Sequence, residues 1–81
     1  MIVSEITIKN LSDYLKLDFE SLTEAETAEL STFLSSAKAF ISEYTGLNAE
    51  EIDGHETFVI AVYVLVQDMY DNRSYYVDKN N

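Results

Sequence analysis

The sequence predicts an all-α fold, and three observations favour that class. The chain has two glycines and no proline among 81 residues, whereas a β-rich domain of this length needs several turns built from such residues. Its apolar residues recur at intervals of three and four over long stretches. The one strongly β-branched run has no second run of similar strength to pair with. We therefore predict a single small three-helix domain over residues 1–81, with a short first helix, a long central helix and an apolar third helix.

The first helix is predicted over residues 7–17. Its apolar side chains share one face, because they are spaced at helical intervals: Ile8, Leu11, Leu15. Thr7 is suited to cap the first turn, since its hydroxyl can accept a hydrogen bond from a free backbone amide. A helix of about ten residues depends on tertiary packing to persist. The preceding residues, 1–6, are predicted to form an extended arm.

The central helix is predicted from Glu24 to Thr45. Thr23 and Glu26 match a capping box, in which each side chain accepts a hydrogen bond from the other residue's backbone amide. The apolar residues that follow keep a helical period: Leu30, Phe33, Leu34, Ala37, Ile41, Tyr44. Gly46 stands where a left-handed residue ends a helix. At a rise of 1.5 Å per residue such a helix is about 33 Å long, so it should organise the domain.

The third helix is predicted over residues 56–72. Its middle, 58–66, is β-branched and could also form a buried strand. A helix is favoured because the whole block runs without a turn signal for longer than a strand usually does. The acidic stretch before it, 48–55, is predicted to be a connection, and residues 74–81 are predicted to form a flexible tail.

The third helix is so apolar that two other helices hardly cover it, which indicates a contact surface for a partner. Tyrosine and arginine, which are enriched at protein interfaces, concentrate near the C-terminus. The candidate interface residues are Val59, Tyr63, Val66, Tyr70, Arg73, Tyr75 and Tyr76. Two alternatives stay open. For Tyr63 and Tyr70, seven residues apart on one helix face, a core position is favoured over a contact by about two to one, because tyrosines are often largely buried. Val59, Tyr63 and Val66 could also simply be half-exposed.

The charge and the residue types exclude several classes of function. Fifteen acidic residues against five basic ones give a net charge of −10, which disfavours duplex DNA and anionic membranes as binding partners. There is no cysteine, and the single histidine, His55, is a poor basis for a metal site because such sites gather three or four ligands. No nucleophile motif or phosphate-binding loop occurs. We therefore expect no catalytic residues, no cofactor and no metal.

Three stretches in this order resemble one protein family. They are DYLKLD at 13–18, FISEYTG at 40–46 and MYDNR at 69–73. Their arrangement over residues 6–74 is similar to that of the small head–tail connector proteins of long-tailed bacteriophages, which are also described as DNA-packaging proteins. The residues nearest the family's signature are Tyr44, Gly46, Tyr70, Asn72 and Arg73. Members often have a proline at the start of the last helix, and this chain has none.

The resemblance implies a structural role in a virion and no enzymatic activity. Such proteins assemble as a ring beneath the portal and join the capsid to the tail, so the implied partners are further copies of the chain and the portal or tail-completion proteins. DNA would only pass through the lumen, without sequence-specific binding, and no membrane is involved. The implied location is the virion after assembly and the cytoplasm of the bacterial host before it. An alternative function is an acidic adaptor that mimics nucleic acid, because residues 18–29 contain five acids and no base.

Overall fold

The computed structural model describes residues 1–73 and confirms the all-α prediction. No β-strand occurs within that range. Two single turns of 3-10 helix, at Val3–Glu5 and Phe19–Ser21, accompany four α-helices: α1 (Ile8–Tyr14), α2 (Glu24–Thr45), α3 (Ala49–Asp53) and α4 (Thr57–Asp71). The three predicted helices are therefore present, and α3 is an additional one. The predicted tail, 74–81, lies outside the described residues.

Helix α1 begins as predicted but ends earlier. The Thr7 hydroxyl accepts a hydrogen bond from the Asn10 amide at 3.1 Å, and the Asn10 side chain accepts one from the Thr7 amide at 2.9 Å. The helix stops at Tyr14 rather than at residue 17 because Lys16 adopts a left-handed conformation, with φ 63°. The Leu17 amide then turns back and donates to the Ser12 carbonyl at 2.8 Å.

The N-terminal segment is not the extended arm that the sequence analysis predicted. Val3 and Ile6 are buried in the core, and Val3 begins the 3-10 turn Val3–Glu5 that immediately precedes Ile6. The Ser4 amide donates to the Asp53 carboxylate at 3.0 Å and so fixes this turn against α3. The segment is too short to show a helical period. It is stabilised by the burial of its two apolar side chains against other elements of the fold.

Helix α2 has the predicted limits and the predicted caps. The Thr23 amide donates to the Glu26 carboxylate at 2.8 Å, and the Glu26 amide donates to the Thr23 hydroxyl at 3.0 Å. At the other end Gly46 has φ 77°, the left-handed conformation that ends many helices. The Ser42 hydroxyl donates to the Leu47 carbonyl at 2.7 Å, which turns the chain back towards the helix.

Helix α3 occupies the stretch that was predicted to be an acidic connection. Asn48 and Glu51 form a further capping box, with reciprocal hydrogen bonds of 2.8 and 2.9 Å. Only Ile52 of this helix is buried. One buried side chain in five residues produces no periodic pattern, so the helix follows from its cap and from tertiary packing rather than from amphipathicity.

Helices α2 and α4 form the centre of the domain, with more contacts between them than any other pair of elements. They run antiparallel, because Phe58 shares a cleft with Tyr44 and Thr45 whereas Met69 shares one with Thr32 and Phe33. Helix α1 packs across both. The buried apolar core comprises Val3, Ile6, Leu11, Leu30, Phe33, Ala37, Ile41, Ile52, Val59, Val62 and Val66.

Candidate interaction surface

The buried face of α4 consists of Val59, Val62 and Val66, which point into the core between α1 and α2. Val59 is 8% exposed and Val66 is fully buried. This placement corrects two of the interface candidates proposed from the sequence, since neither side chain is presented at the surface of the folded chain. Their spacing of three and four residues is that of a core stripe, and an apolar run alone does not show which of its residues face inward.

Tyr63 lies on the flank of α4 that faces α1. Its ring stacks on that of Tyr14, with centroids 4.8 Å apart and an interplanar angle of 11°. Its hydroxyl donates to the Met1 sulfur at 3.7 Å. Burial raises the pKa of the Tyr63 hydroxyl above its ordinary value of 10.0, and the negative charge of Asp13 raises it further. Because Tyr14 and Met1 remain well exposed, this flank forms a partly apolar surface.

Tyr70 and Arg73 hold the C-terminal end of α4 to α2. The Arg73 guanidinium lies 4.3 Å from the centroid of the Tyr70 ring and donates to the Tyr70 carbonyl at 2.8 Å. It also forms an ion pair of 3.7 Å with Glu29 of α2. Both side chains are half-buried, so the structure gives these two candidates an internal role. Tyr75 and Tyr76 lie outside the described residues.

Two other residues of the resemblance also act at helix ends. The Asn72 side chain donates to the Asp68 carbonyl at 3.0 Å and to its carboxylate at 3.1 Å, which closes α4. Gly46 ends α2. Tyr44 differs from them, because it is 82% exposed although it lies near the end of the apolar stripe of α2.

The most exposed apolar side chains of the described helices lie on α2 and on the outer face of α4. Tyr44 is accompanied on α2 by Phe40, which is 53% exposed, and on α4 Ile60 and Val64 are 66% and 53% exposed. The Phe40 and Tyr44 rings stack, with centroids 5.9 Å apart. Sequence reasoning missed Phe40, Ile60 and Val64 as candidates. For Phe40, the signal in the sequence was its interval of four residues from Tyr44, which places both rings on one face of α2, slightly to one side of the core stripe.

Three of these side chains, Phe40, Tyr44 and Val64, border a continuous groove between α2 and α4, which we call the α2/α4 groove. It consists of two open clefts of about 550 and 420 Å³ that share Phe40 and Leu65. Apart from Thr45 and the Tyr44 hydroxyl, the second cleft is lined by apolar side chains. Its lining residues are Phe40, Ile41, Tyr44, Thr45, Phe58, Ala61, Val64 and Leu65.

The charges near the α2/α4 groove are negative. Asp68 lines its first cleft, and no Lys, Arg or His is among the lining residues within 1–73. Glu43 is exposed beside Tyr44 on α2, and Asp71 shares the outer face of α4 with Val64 and Asp68 by helical spacing. Lys38, the one basic residue of α2, lines a different cleft with Val3 and Ile52. The groove is therefore apolar in its centre and acidic at its edge.

Two further features, a metal site and a membrane-spanning helix, have no candidates within residues 1–73. Residues 1–73 contain no group of three or more His, Asp or Glu side chains that could hold a metal ion. The ring of His55 packs edge-on against that of Phe58, with centroids 5.7 Å apart. Within the same residues no helix combines the length and the apolar character that crossing a membrane requires.

No protein-family model, no curated protein and no solved structure matches the chain.

Proposed function

We propose that the chain is a structural subunit of a phage head–tail connector, which assembles as a ring beneath the portal and joins the capsid to the tail. A subunit in that position contacts its neighbours in the ring and a different protein above or below it. It therefore needs more than one contact surface.

The observation that carries the proposal is the exposure of apolar side chains on both flanks of α4. Tyr14 and Met1 lie on the flank facing α1, and Phe40 and Tyr44 lie on the flank facing α2. Isolated exposed apolar residues are common in monomeric proteins, whereas contiguous exposed apolar patches mark interaction sites. Each flank of α4 has a stacked aromatic pair with at least one exposed ring.

The negative charge of the chain suits a ring through which DNA moves. Phosphate groups bind tightly where Lys and Arg release their counterions, and a lumen lined by acids offers no such gain. Asp18, Glu20 and Glu24 are all exposed. If they line the lumen, replacing them by Asn and Gln changes the rate of DNA ejection from assembled virions. An unchanged rate of ejection and unchanged retention of DNA would show that these acids lie elsewhere.

The proposal is tested by co-expressing the full chain with the portal and tail-completion proteins encoded in its own genome. We expect the chain to co-elute with the portal in size-exclusion chromatography with light scattering, and electron microscopy to show an added ring. A chain that stays monomeric at every concentration and never co-elutes with a portal or tail protein contradicts the proposal. Identification of the chain by mass spectrometry in purified virions provides an independent measurement.

A second candidate is an acidic adaptor that mimics nucleic acid and occupies a basic protein. The observation that favours it is the cluster of exposed carboxylates at 18–26, which no basic side chain of the same segment balances. Affinity purification of the tagged chain from its host distinguishes the two functions. Recovery of a DNA-binding protein without any portal or tail protein would support the adaptor.

A further inference from the structure

We propose that the α2/α4 groove binds a helical segment of a different protein, with apolar anchor side chains on one face and Lys or Arg residues beside them. This inference does not rest on the connector function, because it follows from the shape and charge of the groove alone.

The groove has the dimensions of a helix-binding site. Its lining residues run along α4 from Phe58 to Met69, which is about 16 Å at the helical rise per residue. A helix of about three turns covers that length and presents anchors at intervals of three and four residues. Laid between α2 and α4, it would complete the layer of helices on the side opposite α1.

The apolar centre supplies anchoring positions. Phe40 and Tyr44 are stacked on each other on one side of the groove, and Val64 and Ala61 lie on the other. The two aromatic residues are 53% and 82% exposed, so both rings offer apolar area that a partner can bury. Because both rings are fixed on a helix and against each other, a partner covers them without a large loss of side-chain entropy.

The negative charge at the edge of the α2/α4 groove favours a partner helix that carries positive charge. Asp68 lines the groove, Glu43 is exposed on α2 next to Tyr44, and Asp71 is exposed one turn after Asp68 on α4. No basic residue is among the lining residues within 1–73. A helix with Lys or Arg beside its anchors would complement this edge and be attracted to it from a distance. A second copy docked through the same face would place these acids against their own counterparts, which is unfavourable. Residues 74–81 contain one Asp and one Lys, so they bring no net positive charge.

The test uses the full chain and two synthetic helical peptides in fluorescence anisotropy. The first peptide has leucines at intervals of three and four with lysines between them, and the second has glutamates in place of the lysines. We expect the lysine peptide to bind at least about tenfold more tightly than the glutamate peptide and to weaken as salt is added. A scrambled lysine peptide without an apolar face controls for simple attraction to an acidic protein, and we expect it to bind at least about tenfold more weakly.

Matched variants locate the binding site. Phe40→Ala removes an anchor from the groove, whereas Phe19→Ala removes a partly exposed ring outside it. We expect Phe40→Ala to weaken the lysine peptide about tenfold or more and Phe19→Ala to leave its affinity within about twofold. Glu43→Lys should weaken it several-fold and reduce its salt dependence. Circular dichroism spectra of the variants should match that of the parent chain.

Four results would overturn the inference. Equal affinity for the lysine and glutamate peptides would remove the argument from charge, and equal loss in the two phenylalanine variants would place binding outside the groove. A dimer of the full chain that dissociates in Phe40→Ala would make a second copy the occupant. An affinity about tenfold higher in a chain shortened to residues 1–73 would show that residues 74–81 already cover the groove.

Discussion

The inner and outer faces of α4 differ sharply in exposure although both carry β-branched apolar side chains. Val59, Val62 and Val66 are buried in the core, whereas Ile60 and Val64 lie on the outside and remain more than half exposed. The two groups alternate along a single helix, so composition alone does not separate them. The apolar excess of α4 therefore has two parts: the inner valines form the core, whereas the outer pair stays exposed and Val64 lines the uncovered α2/α4 groove.

The largest expected difference between the two faces of α4 is in stability, and the same substitution at Val66 and at Val64 measures it. Val66→Ala removes buried methyl groups and leaves a cavity, so we expect it to lower the free energy of unfolding by about 2–3 kcal/mol. Val64→Ala, on the outer face, should change it by no more than about 0.5 kcal/mol. Urea denaturation followed by circular dichroism measures both. Similar losses in the two variants would show that Val64 also belongs to the core.

The two aromatic stacks provide a smaller test. Tyr14–Tyr63 joins two helices and Phe40–Tyr44 lies within one helix, yet both pairs have an interplanar angle of 11°. In double-mutant cycles to alanine we expect a coupling energy of about 0.5–1.5 kcal/mol for Tyr14–Tyr63. The pair at an interval of four residues on α2 should give about 0.2–0.5 kcal/mol. A stronger coupling for Phe40–Tyr44 would mean that this pair already stabilises the monomer.

Local signals in the sequence predicted much of the fold. The Thr23–Glu26 capping box and Gly46 defined both ends of α2 because each acts through hydrogen bonds or backbone conformation within a few residues. Asn48 and Glu51 carry the same kind of signal for α3, which sequence reasoning overlooked. The packed N-terminal segment could not be inferred in this way, since Val3 and Ile6 become buried only through contacts with distant elements.

The candidate surface was harder to predict than the helices. A valine-rich helix offers several possible inner faces, and the choice among them depends on where α1 and α2 pack. Val59 and Val66 were interface candidates, with half-exposure as the alternative, but both are buried in the folded chain. Tyr44 belongs to the periodic apolar face predicted for α2, yet α4 passes beside it without covering it, so it remains exposed. Such differences arise from tertiary geometry, which hydrophobic periodicity does not contain.

The smallest expected effect concerns the ionisation of Tyr63 on the flank facing α1. Burial and the nearby Asp13 carboxylate raise its pKa above 10.0 in the folded chain, so the unfolded chain loses this proton at lower pH. The contribution to stability is therefore complete below about pH 10 and is lost as the pH rises towards the pKa of the folded state. Ultraviolet titration of tyrosinate should show a late component, above pH 10.0, that disappears in Tyr63→Phe.

Asp13→Asn provides the matched variant, because it removes the second cause of the raised pKa and keeps the size of the side chain. We expect the late component to move towards lower pH in this variant while burial keeps it above the ordinary value. Tyr44→Phe, on the uncovered groove, should leave that component in place. If Tyr44→Phe removes it instead, the groove is the more buried of the two flanks and the comparison between them is reversed.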